Sequence, residues 1–293
     1  MTPLQVPLES IRGDYSIYRY NDSIYKIIRF KSNLVPRGPL PSAEKTHHEK
    51  KLDSSLSRSK RVLLELALCN PWDYFCTFTI DKDKHDRSDL FSWYKKFSQW
   101  LRDQRKQGLE ISYVFVPERH ADGCWHCHGF MRGNMDLIPF ADERKEGIFV
   151  KKELYDGNYL DWPAYRKKFG FCSFGHIRNP VAAGFYVTKY ITKDLERAVS
   201  TLGGKMYYSS HGLNRAVKHG EIYGNCGYLD KYLVNHYDFC DTGMTHCSDS
   251  LDWTFGFEYM DMEPLDVAQP SPSDEAEVTS FYDFVQMCLD DLK

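Results

Sequence analysis

The sequence predicts an α+β fold, one antiparallel sheet with helices packed on a face. Two observations carry this. Stretches of period-two and period-3.6 hydrophobicity alternate along the chain. The turn signal Ala121-Asp122-Gly123 also joins two strand-like stretches so tightly that they must pair antiparallel, whereas a doubly wound parallel sheet needs a long crossover there.

Each element follows in order. YSIYRYNDSIYKIIRFK, residues 15–31, alternates apolar and polar around an Asn-Asp-Ser break and reads as a hairpin. Residues 35–52, with two prolines, a glycine and many charges, read as a linker. Asp53 or Ser54 can cap a helix to about Cys69, stopped by Asn70. YFCTFTI, residues 74–80, is a strand with Phe75, Thr77 and Thr79 on one face and Cys76, Phe78 and Ile80 on the other. Ser88 or Asp89 caps a helix whose apolar stripe is Leu90, Tyr94, Phe97 and Leu101. ISYVFVPE (111–118) and CWHCHGFM (124–131) form the hairpin around the turn, and CSFGHIR (172–178) is a fourth strand. Residues 134–160 show no clear pattern. Asn179-Pro180 joins an N-cap to a proline at the first helical position, and the helix it starts is expected to run to about Ser200, before Gly203-Gly204.

The expected organisation is an N-terminal hairpin and linker over 1–52, a main domain over 53–240 and an acidic C-terminal tail over 241–293. At 293 residues the chain is long enough for a real core, and 42% hydrophobic with 27% charged residues is ordinary for a soluble protein. No apolar run approaches the roughly 18 residues of a membrane span, so no membrane partner is expected. The N-terminus shows no basic start followed by an apolar stretch. With nine cysteines, an odd number, the expectation is reduced thiols in a cytoplasm, the host's if the gene is carried by a phage. The net charge of −3 hides an asymmetry: residues 241–293 carry thirteen acids and one lysine, leaving about +9 on the rest. A basic body suits a polyanion partner.

DGCWHCHGF, residues 122–130, admits three chemistries: a redox CxxC, a fragment of a zinc knuckle, or a His-x-His pair. A redox pair needs the start of a helix, and these flanks favour a strand. A structural zinc needs a second ligand pair; Cys240 and Cys247 with His246 between them are the nearest candidate. On a strand, His126 and His128 share a face and Cys127 points away. The plain alternative is two hydrogen-bonded histidines without a metal. Glu118 ends the preceding strand and can face the pair across the hairpin, which would make a two-histidine, one-carboxylate site for a divalent cation, Mg2+ or Mn2+, able to polarise a phosphate.

FYVTKYITKD, residues 185–194, places Tyr186 and Tyr190 on one face of the predicted helix, with Lys193 nearly in line and Lys189 about 60° away. Tyrosines at this spacing often pack into a core, but here the core stripe is Ala183, Val187, Ile191 and Leu195. A phenol is a weak nucleophile at its ordinary pKa of about 10, and a neighbouring ammonium stabilises both phenolate and phosphate charge.

HCHGF resembles the His-hydrophobic-His motif of the HUH endonucleases, and YVTKYITK resembles the two-tyrosine motif of their phage- and plasmid-type rolling-circle replication initiators. FCTFTID, residues 75–81, is similar to that family's first motif, and the three stand in the family's order over about 120 residues. Cys127 stands where the family usually has a bulky hydrophobe. The resemblance implies a ferredoxin-like, RRM-related antiparallel sheet with the histidines on a central strand and the tyrosine helix against it. It implies that single-stranded DNA at a replication origin is nicked and rejoined through a covalent 5′-phosphotyrosine, leaving a 3′ hydroxyl for a polymerase. Carried over, His126, His128 and Glu118 hold the metal, Tyr186 and Tyr190 are nucleophiles, and Lys189 and Lys193 assist. Thr77, Thr79 and Arg178 are expected along the DNA path. No GxxxxGK[ST] loop occurs, so unwinding is expected to fall to a host helicase. A transposase or relaxase with the same chemistry and a noncatalytic zinc-containing nucleic-acid-binding protein are the alternatives.

Overall fold

A computed structural model gives the fold and describes residues 14–31, 47–145, 147, 150–201, 204–223, 227–236, 240–247 and 262–264. The described residues divide into two compact units: 14–31 with those from 215 to 264, and 47–214. The hairpin predicted at 15–31 forms, as β1 (Tyr15–Arg19) and β2 (Ile24–Phe30).

The second unit opens with α1 (His47–Leu68). This helix begins six residues before the expected Asp53, because His47–Leu52 contains no breaker and is rich in good helix formers. Then come β3 (Tyr74–Thr79), α2 (Leu90–Arg105), β4 (Ile111–Arg119) and β5 (Trp125–Gly133). Short pieces fill the stretch that carried no clear pattern: β6 (Ile138–Pro139), α3 (Phe140–Lys145), α4 (Lys152–Asp156), β7 (Leu160–Asp161) and α5 (Pro163–Lys168). The unit ends with β8 (Cys172–His176), α6 (Pro180–Val187), α7 (Lys193–Thr201) and β9 (Tyr208–Ser209).

Its sheet is antiparallel, in the order β6-β7-β8-β3-β5-β4-β9. The four central strands, β8-β3-β5-β4, with α2 after β3 and α5 before β8, make the ferredoxin-like βαββαβ arrangement. The fold class is therefore α+β, with antiparallel sheet and packed helices, consistent with the fold that the sequence resemblance implies.

Strand parity divides the unit. On one face Phe78, Phe115 and Phe174 meet Phe97 of α2 and Tyr165 of α5. Asp89 starts α2 as expected, its carboxylate accepting from the Ser92 N–H at 2.9 Å. The other face carries Thr77, Thr79, His126 and His128 and is covered by α6 and the turn after it, with α1 packed on α6. Helices thus lie on both faces, not one. Gly184 lets α6 come close to α1: a Cβ there would stand 3.2 Å from Leu68 Cδ2.

In the first unit, β1 and β2 pair with β10 (Val217–Ile222) and β12 (Cys240–Cys247), and β12 also pairs with β11 (Asn235–His236) and β13 (Met262–Pro264). Leu229 of the short α8 (Gly227–Asp230) packs with Tyr15, Ile17, Tyr25 and Ile27. Buried Asp241 is held by Arg29 at 2.6 Å, Lys31 at 3.0 Å and His236 Nδ1 at 2.9 Å, and the Arg29 guanidinium keeps its carboxyl well below the usual range. Most of the expected acidic tail, and the linker from 32 to 46, lie outside the described residues.

Candidate active site

The hairpin predicted from ADG puts Glu118 directly opposite His126. Gly123 turns it at φ +83°, a conformation that suits glycine, and the Cys124 N–H is held by Asp122 Oδ1 at 2.9 Å. β3 flanks β5 on its other side, with Thr77 opposite His128 and Thr79 opposite His126. Paired residues share a face, so Glu118, His126, His128, Thr77 and Thr79 converge. Gly129 is required next to them: a Cβ there would lie 1.9 Å from the Val114 carbonyl oxygen on β4. His176, opposite Tyr74, belongs to the other face.

Both histidines are buried, at 1% and 2% exposure. His128 lies between two partners, its Nε2 2.9 Å from Glu118 Oε2 and its Nδ1 3.1 Å from Thr77 Oγ1. The His126 Nδ1 is buried without a hydrogen-bond partner. Burial, with smaller contributions from His120, His128 and Arg87, lowers its pKa to about 2, so the ring is neutral and its lone pair available. Cys127 is buried on the opposite face, where burial pushes its thiol up, so it cannot join the histidines as a thiolate.

Thr77 and Thr79, expected along the DNA path, are instead buried against the histidines, Thr77 with no exposure at all. A side chain that closed off touches no strand. Arg178 is exposed, in the segment leading into α6.

The predicted helix to Ser200 does not run through. Asn179 caps α6 as expected, its Oδ1 accepting from the N–H groups of Val181 and Ala182 at 3.1 and 3.0 Å. But α6 ends at Val187, a 3-10 turn spans Thr188–Tyr190, Ile191 is extended, and α7 starts at Lys193. The cause lies in YITKD itself. Thr192 Oγ1 accepts from the Leu195 N–H at 3.1 Å, a new N-cap, and Asp194 and Glu196 fill the first turn that follows. The break takes Lys193 out of the single stripe expected with Tyr186. Ala183, Val187, Ile191 and Leu195 are buried as expected.

The break sets the tyrosines against the histidine strand. The Tyr190 ring stacks on His128, centroids 4.5 Å apart and planes 6° apart. Its hydroxyl donates to the Tyr186 oxygen at 3.2 Å. Lys189 Nζ lies 5.4 Å from the centre of the Tyr186 ring. A cavity of about 640 Å3 opens here, lined among others by Glu118, His120, Tyr186, Lys189, Tyr190 and Thr192.

Sequence reasoning missed His120. Its ring centroid is 4.1 Å from that of His126, and its Nε2 is 3.7 Å from Glu118 Oε2. The signal was present in Glu118-Arg119-His120, since residues two apart on a strand share a face.

The donor set fits a divalent cation: two imidazoles and a carboxylate converge, and the His126 nitrogen has no other partner. Among the described residues, no three histidine, cysteine or acidic side chains form a closed cation cage. Glu118 and His128 here hold each other.

Residues 73–195 match the family model of the ORF2-type replication-associated protein, a span that runs from the start of β3 into α7 and contains every element of the site. Comparison with curated proteins and with solved structures gives no match.

Proposed function

We propose that this protein initiates rolling-circle DNA replication by nicking and rejoining single-stranded DNA at an origin, as a tyrosine endonuclease of the HUH type. The observation that carries the reading is the meeting of two tyrosine hydroxyls, 3.2 Å apart, beside a stacked His128 that is hydrogen-bonded to Glu118, within the segment matching a replication-associated family.

One tyrosine oxygen attacks the scissile phosphorus and the 3′ oxygen leaves. The products are a 5′-phosphotyrosine and a free 3′ hydroxyl, and rejoining reverses the exchange. Because one ester replaces another, no outside energy source is needed. The Tyr190 O–H points its proton at the Tyr186 oxygen and so stabilises negative charge developing there. Lys189 lines the same cavity and opposes the phosphate charge; Lys193 follows at the start of α7. His126, His128 and Glu118 would hold Mg2+ or Mn2+, which polarises a phosphate oxygen. Stacking fixes the Tyr190 ring over His128 before substrate arrives. Exposed Arg178 contacts the strand. A host helicase would open the duplex and a host polymerase extend the 3′ end. No described helix is long and apolar enough to cross a membrane.

The test incubates the protein with labelled single-stranded origin DNA and Mn2+ or Mg2+. A covalent protein–DNA adduct is expected, and it disappears when Tyr186 and Tyr190 are both changed to Phe. An adduct that persists in the double variant sinks the assignment.

A further inference from the structure

The first motif, FCTFTID, has no task in the chemistry above, because its threonines are buried. Thr77 nevertheless makes a specific contact. Its Oγ1 lies 3.1 Å from Nδ1 of His128, while Nε2 of the same ring lies 2.9 Å from Glu118 Oε2.

The two contacts together fix the ring's protons. An ionised carboxylate only accepts, so in the neutral ring Nε2 carries the proton and donates to Glu118. Nδ1 is then a lone pair, and the Thr77 hydroxyl donates to it. If Nε2 is given to a cation, the ring proton must sit on Nδ1, where it is buried and needs an acceptor. A hydroxyl serves both states, because it turns from donor to acceptor by rotating one bond. No aliphatic side chain can do so. Ser173 provides the comparison: it flanks Thr77 on β8 and is fully buried, and its hydroxyl makes no hydrogen bond.

We infer that Thr77 is a positioning residue for His128: its hydroxyl holds the ring's orientation and accepts the Nδ1 proton when Nε2 is committed to a divalent cation. This rests on the metal reading of the proposed function. It assigns the first motif's threonine to supporting the histidine pair rather than to touching DNA.

The test titrates Mn2+ into the full-length protein by calorimetry, with thermal unfolding as a control for folding. Thr77→Val should bind Mn2+ about tenfold to a hundredfold more weakly. Thr77→Ser keeps the hydroxyl and should restore wild-type affinity, and Ser173→Ala should leave it unchanged. Imidazole 15N shifts of the cation-free wild type should show His128 protonated at Nε2, a readout that stands even if Thr77→Val does not fold. Wild-type affinity in Thr77→Val, loss in Thr77→Ser equal to that in Thr77→Val, or a proton on Nδ1 in the cation-free ring each overturns the inference while leaving the metal reading intact. A wild type that binds no Mn2+ overturns both.

Discussion

The two faces of the central sheet use the same strands for opposite ends. Phe78, Phe115 and Phe174 close one face against α2 and α5 with ring-to-ring packing. One residue along, Thr77, Thr79, His126 and His128 are equally buried on the other face, yet Thr79 Oγ1, Ser173 Oγ and His126 Nδ1 have no hydrogen-bond partner there. A buried unbonded polar atom costs stability of order 1–3 kcal/mol. The first face therefore stabilises the fold, and the second carries polar groups that make sense as ligands. Cys127 and His128 show how abrupt the division is: adjacent residues, one a buried thiol in the core and the other stacked under a tyrosine.

Substitutions on each face test that division. The largest effect is expected on the aromatic face, where Phe78→Ala should cost about 3–5 kcal/mol in urea unfolding. If the faces are separable, the fraction still folded should form the DNA adduct at the wild-type rate. On the other face, His128→Ala should slow adduct formation roughly a hundredfold, about 3 kcal/mol, while thermal unfolding stays cooperative. Adduct formation at full rate in that variant would remove the chemical meaning of the polar face.

A third, smaller effect depends on pH. Burial holds the His126 pKa at about 2, below its ordinary 6.5, so only the unfolded chain takes up that proton between those values. The histidine's contribution is whole above about pH 6.5 and lost as pH falls, by roughly 2 kcal/mol at pH 5. Asp161 opposes it: burial raises its pKa from 3.8 to about 6, so its contribution falls as pH rises through that window. The difference between wild type and His126→Gln cancels Asp161. The wild type should lose roughly 2 kcal/mol more than the variant between pH 7 and pH 5, and equal losses would refute a buried neutral ring. The smallest effect is expected where α6 meets solvent: Asn179→Ala removes a cap worth about 1 kcal/mol and should lower the melting temperature without changing adduct yield.

Much of the fold and site is legible in the sequence because it depends on short-range geometry. Strand parity puts His126 and His128 together and turns Cys127 away, and the ADG turn requires an antiparallel hairpin. Asn179-Pro180 and Asp89 mark two helix starts. The long helix is misleading because its apolar stripe continues through Ile191 and Leu195, which are buried whether or not the helix is continuous. The N-cap at Thr192 is visible in TKDLE, but that periodicity outweighs it. Parity places Thr77 and Thr79 on the correct face, but their burial depends on what covers that face, which periodicity does not report.

Local sequence therefore settles which residues share a face, since alternation is a property of the extended backbone. Three outcomes needed the folded chain: which strands became neighbours, that a broken helix would lay Tyr190 flat on His128, and that His120 would come to rest against His126. They depend on contacts between separate elements, and local pattern does not encode those.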